Sequence, residues 1–71
     1  MSMKESVSNS VYTLRSGAGV TQEEFASAVG VTRQTVIAIE KGNYVPSVLL
    51  ALKIARYFRQ SVEKVFSISK K

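Results

Sequence analysis

The stretch Thr21-Gln22-Glu23-Glu24-Phe25-Ala26-Ser27-Ala28-Val29-Gly30-Val31-Thr32-Arg33-Gln34-Thr35-Val36-Ile37-Ala38-Ile39-Glu40-Lys41 decides the fold. It holds two helix starts only eleven residues apart. Thr21 followed three residues later by Glu24 is a capping box, in which the two side chains satisfy each other's backbone N–H groups. Phe25, Ala26 and Val29 then give that helix an inward face, and Gly30 ends it. Thr32 caps the next helix, with Val36 and Ile39 as its inward pair and Gly42 just beyond its end. Two capped helices joined by so short a turn cross steeply. Ala26 is small where the helices approach each other.

Working outward, the flanking residues supply a support for this pair. A first helix is expected over residues 9–16, with Asn9 as N-cap, Val11 and Leu14 inward, and Gly17-Ala18-Gly19 as its exit. After a loop over residues 42–46, Ser47 caps a fourth helix. Its apolar face is expected from Val48, Leu50 (or Leu49), Leu52, Ile54, Ala55 and Phe58. Ser61 caps a short fifth helix carrying Val62, Val65 and Phe66. No run is read as alternating over strand length. The expectation is therefore an all-α, compact five-helix domain over residues 9–66, with flexible termini at 1–8 and 67–71.

Charge and composition narrow the function. The chain has 71 residues, 10 Lys and Arg against 5 Asp and Glu, and a net charge of +5; its pI is near 9.9. So basic a small domain suits an anionic partner, nucleic acid before a membrane surface. It contains neither His nor Cys, which removes the usual general base and the commonest metal ligands. No P-loop or carboxylate pair is present, and Glu23-Glu24 open a helix, where acids favour the dipole. An enzyme is not expected, nor a cofactor or metal. No segment has the ~18 apolar residues of a membrane span, and residues 1–10 lack the apolar core of a signal peptide. The expected location is the cytoplasm.

With Val36 and Ile39 inward, Arg33, Gln34, Ile37, Ala38 and Lys41 face outward. Arg can donate two hydrogen bonds to guanine, and Gln can exchange two with adenine. Arg33 and Gln34 lie in the first turn, the part of a recognition helix that enters the major groove deepest. Ile37 and Ala38 suit thymine methyl groups. Base contacts are thus assigned to Arg33, Gln34, Ile37 and Ala38. Phosphate contacts, which position without reading sequence, are assigned to Gln22, Thr32, Thr35, Lys41, and the backbone of Gly42 and Asn43. Taken singly, each residue has a plainer role: Thr21 and Thr32 cap helices, and Arg33 and Lys41 are solvated charges. The combination carries the assignment.

Val20 to Ala26, Gly30 to Val36 and Ile39-Glu40-Lys41-Gly42 resemble the lambda repressor/Cro-like family, also called the XRE family of helix-turn-helix regulators. The likeness runs on through Pro46-Ser47 and Leu52-Lys53-Ile54-Ala55 to Val62 and Phe66. It covers residues 9–66, so no separate effector domain is expected. The resemblance implies a third helix in the major groove and DNA-contacting positions at Gln22, Arg33, Gln34 and Ala38. It also implies an internal ion pair, Arg15 with Glu40. Several residues depart from the family pattern. Ser10 replaces a frequent basic residue, and Ile37 a small polar one. Leu49 and Tyr57 are apolar where charged or small residues are common. Arg59 replaces the usual glycine after the fourth helix, so that exit is expected to be capped differently.

The functional expectation is a sequence-specific double-stranded DNA-binding repressor of transcription. It would act as a homodimer on an inverted-repeat operator, with Leu49 and Tyr57 joining Val62, Val65 or Ile68 in a surface patch. The alternative is an antitoxin-like or adaptor module that docks a protein partner through the same apolar residues and also represses its own operon.

Overall fold

The computed structural model describes residues 5–70. In chain order these form strand β1 (Glu5–Asn9), helices α1 (Val11–Gly17), α2 (Gln22–Val29), α3 (Arg33–Glu40), α4 (Val48–Tyr57) and α5 (Val62–Val65), and strand β2 (Phe66–Lys70). The helical frame follows from the caps. Thr21 Oγ1 accepts from Glu24 N while the Glu24 carboxylate accepts from Thr21 N, the reciprocal capping box. Thr32 accepts from Thr35 N, and Ser47 from Leu50 N. The Ser61 side chain makes no such bond.

α1 starts later than expected. Ser10 is its N-cap and makes no side-chain cap bond. Asn9 acts from one residue further out. Its Oδ1 accepts from Val11 N at 3.0 Å, and its Nδ2 donates to the Ile39 carbonyl at 2.9 Å. The residue expected to cap α1 therefore also ties that end to the last turn of α3.

The domain is not all-α. β1 and β2 pair antiparallel, with Val7 opposite Ile68 and Asn9 opposite Phe66. The alternation that permits this is short: Ser6 and Ser8 fall on one face of β1, and Ser67 and Ser69 lie opposite them on β2. A two-stranded ribbon is marginal alone. Here Phe66 packs against the core, and Ser10 N donates to the Val65 carbonyl at 3.0 Å, continuing the pairing into the helices. The flanks expected to be flexible are strands where described, at 5–8 and 67–70. The same expectation for 1–4 and 71 lies outside the described residues.

One core joins the elements: Val11, Phe25, Ala26, Val29, Val36, Ile39, Leu50, Ile54, Ala55 and Val65 are buried. On α4 the inward face is narrower than its apolar content suggests. Leu50, Ile54 and Ala55 are buried and Phe58 packs against them, whereas Val48 and Leu52 are 77% and 52% exposed. The rotation that points Leu50 and Ile54 inward turns Val48 and Leu52 outward.

α1, α2, α3 and α4 leave by the same turn. Val20, Val31, Asn43 and Gln60 each donate a backbone N–H to the carbonyl five residues back, the 6→1 bond of a Schellman motif. The residue before each donor is left-handed: Gly19, Gly30, Gly42 and, for α4, Arg59 at φ 56°. The missing glycine has not changed the cap, contrary to expectation. Arg59 adopts the glycine conformation at a cost of about 1–2 kcal/mol. Glycine gives back about 0.5–1 kcal/mol through its freer unfolded state. Arg59→Gly is therefore expected to raise stability by about 0.5–1 kcal/mol, read as a higher urea midpoint with an unchanged m-value.

Candidate nucleic-acid interface

The candidate surface is built on α2 and α3. The Gly30 turn brings the first residue of each helix side by side. Val31, between them, packs on the core and anchors the turn. Val36 and Ile39 are fully buried, which fixes the rotation of α3. That rotation leaves Arg33 and Gln34 exposed in its first turn, and Ile37 and Ala38 half-buried further along the same helix. Ile37 is thus partly covered by the fold itself.

The residues assigned to phosphate surround this face. Gln22 opens α2 and is half-buried, and Lys41, Gly42 and Asn43 are exposed just past the end of α3. Gly42 N and Asn43 N are taken up by the Ile39 and Ala38 carbonyls. Those two N–H groups close the helix exit and are not free for a phosphate, as the sequence reading had it. Thr32 and Thr35 hydroxyls lie 3.1 Å apart, and Thr32 also accepts from Thr35 N. One hydroxyl proton joins the pair, which leaves the other free to donate outward.

Behind the face lies an ion pair between α1 and α3. Arg15 Nε donates to Glu40 Oε2 at 2.6 Å and Nη2 to Oε1 at 3.3 Å. Arg15 Nη1 donates to the Val20 carbonyl at 2.8 Å, and its guanidinium lies 5.4 Å from the Tyr12 ring centroid. The Arg15 and Glu40 side chains are only 11% and 7% exposed. The hydrogen bond that Arg15 donates to Glu40 holds the Arg15 pKa above its ordinary value, against the opposing pull of desolvation. Every guanidinium nitrogen thus has a partner, the condition under which a buried charge is tolerated. Among the described residues, no buried side-chain N or O lacks one.

Two connections were not read from the sequence. Gln22 Nε2 donates to Glu40 Oε1 at 3.1 Å, and Gln22 Oε1 accepts from Arg33 Nε at 3.4 Å. The signal for them was indirect. Gln22 and Arg33 each follow an N-cap threonine, so the short turn sets them in equivalent positions on adjoining helices.

The apolar patch expected on α4 and α5 is only partly present. Val65 is buried. Tyr57 is partly engaged, its ring edge-on to Phe25 at 5.2 Å. Leu49, 64% exposed, instead lines a shallow groove with Leu52, Ala55 and Val62. Among the described residues, no helix is long and apolar enough to cross a membrane.

Comparison with known proteins agrees with this geometry. A family model described as helix-turn-helix matches residues 11–65. An uncharacterized HTH-type transcriptional regulator of Bacillus subtilis, YgzD, is 59% identical over 58 residues, covering 82% of this chain and 88% of its own. An uncharacterized HTH-type transcriptional regulator of Methanothermobacter thermautotrophicus is 59% identical over 49 residues, covering 68% of this chain and 71% of its own. Among solved structures, the restriction-modification controller protein C.AhdI from Aeromonas hydrophila superposes with a TM-score of 0.70 at 28% identity, covering 76% of this chain and 82% of that one.

Proposed function

This chain belongs to the lambda repressor/Cro-like (XRE) family of helix-turn-helix proteins, and on that basis we propose that it is a sequence-specific repressor that reads the major groove with α3. DNA binding and transcription regulation are the common property of that family and of the regulators it resembles. The observation that carries the finer reading is the exposure of Arg33 and Gln34 in the first turn of a helix whose rotation is locked by buried Val36 and Ile39.

In this reading Arg33 donates to guanine and Gln34 pairs with adenine, while Ile37 and Ala38 meet thymine methyls. Gln22, Thr32, Thr35 and Lys41 hold the phosphates on either side. A single such face makes few contacts. Two copies on an inverted repeat, with α3 helices ~34 Å apart, double them. The exposed Leu49 and Leu52, with Val62 beside them, are the surface proposed to join the copies. Repression follows by occupying the promoter. The same apolar groove supports a second reading, a module that docks a protein partner. A chain that binds no DNA but holds a partner through Leu49 and Leu52 would establish it.

Arg33→Ala is expected to weaken operator binding by about 1–3 kcal/mol and to relax preference at a single base pair. Titration of the operator and its single-base variants at one salt concentration measures both. Equal weakening on every sequence would assign Arg33 to the backbone instead.

A further inference from the structure

α4 carries positive charge that no acid in the domain answers. Between residues 41 and 62 the cations are Lys41, Lys53, Arg56 and Arg59, and there is no Asp or Glu. Lys53 and Arg56 stand one turn apart on α4, so they share a face and oppose each other there. No residue three or four away from either is acidic. Both side chains are exposed, and among the described residues the one salt bridge joins Arg15 to Glu40.

Lys53 and Arg56 line a shallow groove between α4 and the end of α2. Ala28, Val29 and Gly30 form its α2 side, and Tyr57 borders it on α4. The Tyr57 ring is held edge-on to buried Phe25, so that wall is fixed. Gly30 N and Val31 N both donate to the Ala26 carbonyl. Among the described residues, the turn therefore leaves the Ser27, Ala28 and Val29 carbonyls as open acceptors. Their partial negative charge offsets the two cations only in part.

The groove thus sets two cations beside a row of hydrogen-bond acceptors. A phosphate backbone answers the cations but has no donor for the carbonyls. An extended peptide answers both. Side chains on one side of it repeat every second residue, about 6.5–7 Å apart, near the ~5–6 Å between residues one helical turn apart. Its backbone N–H groups are donors in need of partners. A second copy of this chain supplies no such segment, because no two of its acids, Glu5, Glu23, Glu24, Glu40 and Glu63, lie two residues apart. We infer that the α2–α4 groove docks an extended acidic segment of a partner protein, with carboxylates at alternate positions set on Lys53 and Arg56. Neither Arg33 nor Gln34 lines the groove, so docking leaves the first turn of α3 unoccupied. Lys53 and Arg56 also border the groove of Leu49 and Leu52, so the segment lies along the edge of the surface proposed to join two copies.

The probe is a fluorescein-labelled peptide of about eight residues, with Glu at alternate positions and Leu or Tyr between them. It is titrated into the full chain at near-physiological salt, beside a counterpart with Gln for every Glu. The Glu peptide is expected to bind at least tenfold more tightly than the Gln one. Lys53→Gln combined with Arg56→Gln preserves helix propensity and is expected to weaken the Glu peptide about tenfold, through the loss of two exposed ion pairs. Ala28→Glu sets a like charge on the α2 side and is expected to weaken it similarly without touching α4. Lys64→Gln removes one charge on α5 and is expected to leave the affinity within about twofold. The melting temperature and operator affinity of the double variant are expected to match the parent's. If the parent does not bind the Glu peptide, or holds the Gln peptide as tightly, the inference is overturned. It is also overturned if the double variant and Ala28→Glu lose no more than Lys64→Gln, since net charge alone then accounts for the attraction. A double variant that loses operator affinity with a shallower salt dependence would assign Lys53 and Arg56 to DNA phosphates and overturn it as well.

Discussion

Phe25→Ala is expected to cost about 3–5 kcal/mol, the range for deleting a buried aromatic ring. Phe25 is fully buried. Its ring stacks on Phe58 at a centroid distance of 5.1 Å and meets Tyr57 edge-on at 5.2 Å. It is therefore the residue through which α2 is fastened to α4. Backbone atoms on both sides are held by their own helices, so the site has little freedom to collapse around the void. At roughly 0.05–0.15 kcal/mol per residue, a chain of 71 residues has about 4–10 kcal/mol in total. The substitution thus removes between a third and all of the folding free energy. Urea unfolding followed by far-UV circular dichroism measures it. A midpoint shift equivalent to less than about 1 kcal/mol would mean that α2 is not held by this contact.

The second large effect is expected at Glu40. Glu40→Ala leaves the Arg15 guanidinium buried with only the Val20 carbonyl as a hydrogen-bond partner. Breaking a buried pair from one side costs about 3–5 kcal/mol, because the remaining charge is uncompensated. For a domain of this size that corresponds to roughly 4–8 °C in melting temperature for each kcal/mol. The pair itself is a different matter. Its desolvation cost nearly offsets its attraction, so replacing both partners with apolar residues of similar volume is often neutral. Arg15→Met combined with Glu40→Leu is therefore expected to recover most of the loss. A double variant as unstable as Glu40→Ala would show that the pair is a net source of stability.

What could be read from the sequence was what local chemistry decides. Thr21, Thr32 and Ser47 announce helix starts because a side-chain oxygen at that position has one use, and the structure has all three bonds. Val36 and Ile39 fix the rotation of α3 by spacing alone, so the exposed face of that helix was legible too. The ribbon was not. Its strands are five residues each and lie at opposite ends of the chain. Their alternation rests on serines around Val7 and Ile68, a weak pattern until the partner strand is known. On α4, apolar residues outnumber the inward positions, and only packing selects Leu50 over Leu49, Val48 and Leu52. The Gly42 and Asn43 amides looked available because the sequence does not show that the helix exit uses them. The Gln22 connection depends on how two helices cross, which is a property of the pair and not of either segment.

The central claim is that α3 reads base sequence. Selection of binding sites from random double-stranded DNA, at near-physiological salt and with bulk competitor, tests it most directly. The account predicts an enriched inverted repeat whose half-sites are about one helical turn apart, with a guanine position that loses its enrichment when Arg33→Ala is selected in parallel. Binding that falls with salt but enriches no sequence would contradict it, leaving only the charge-driven attraction that a net charge of +5 supplies on its own.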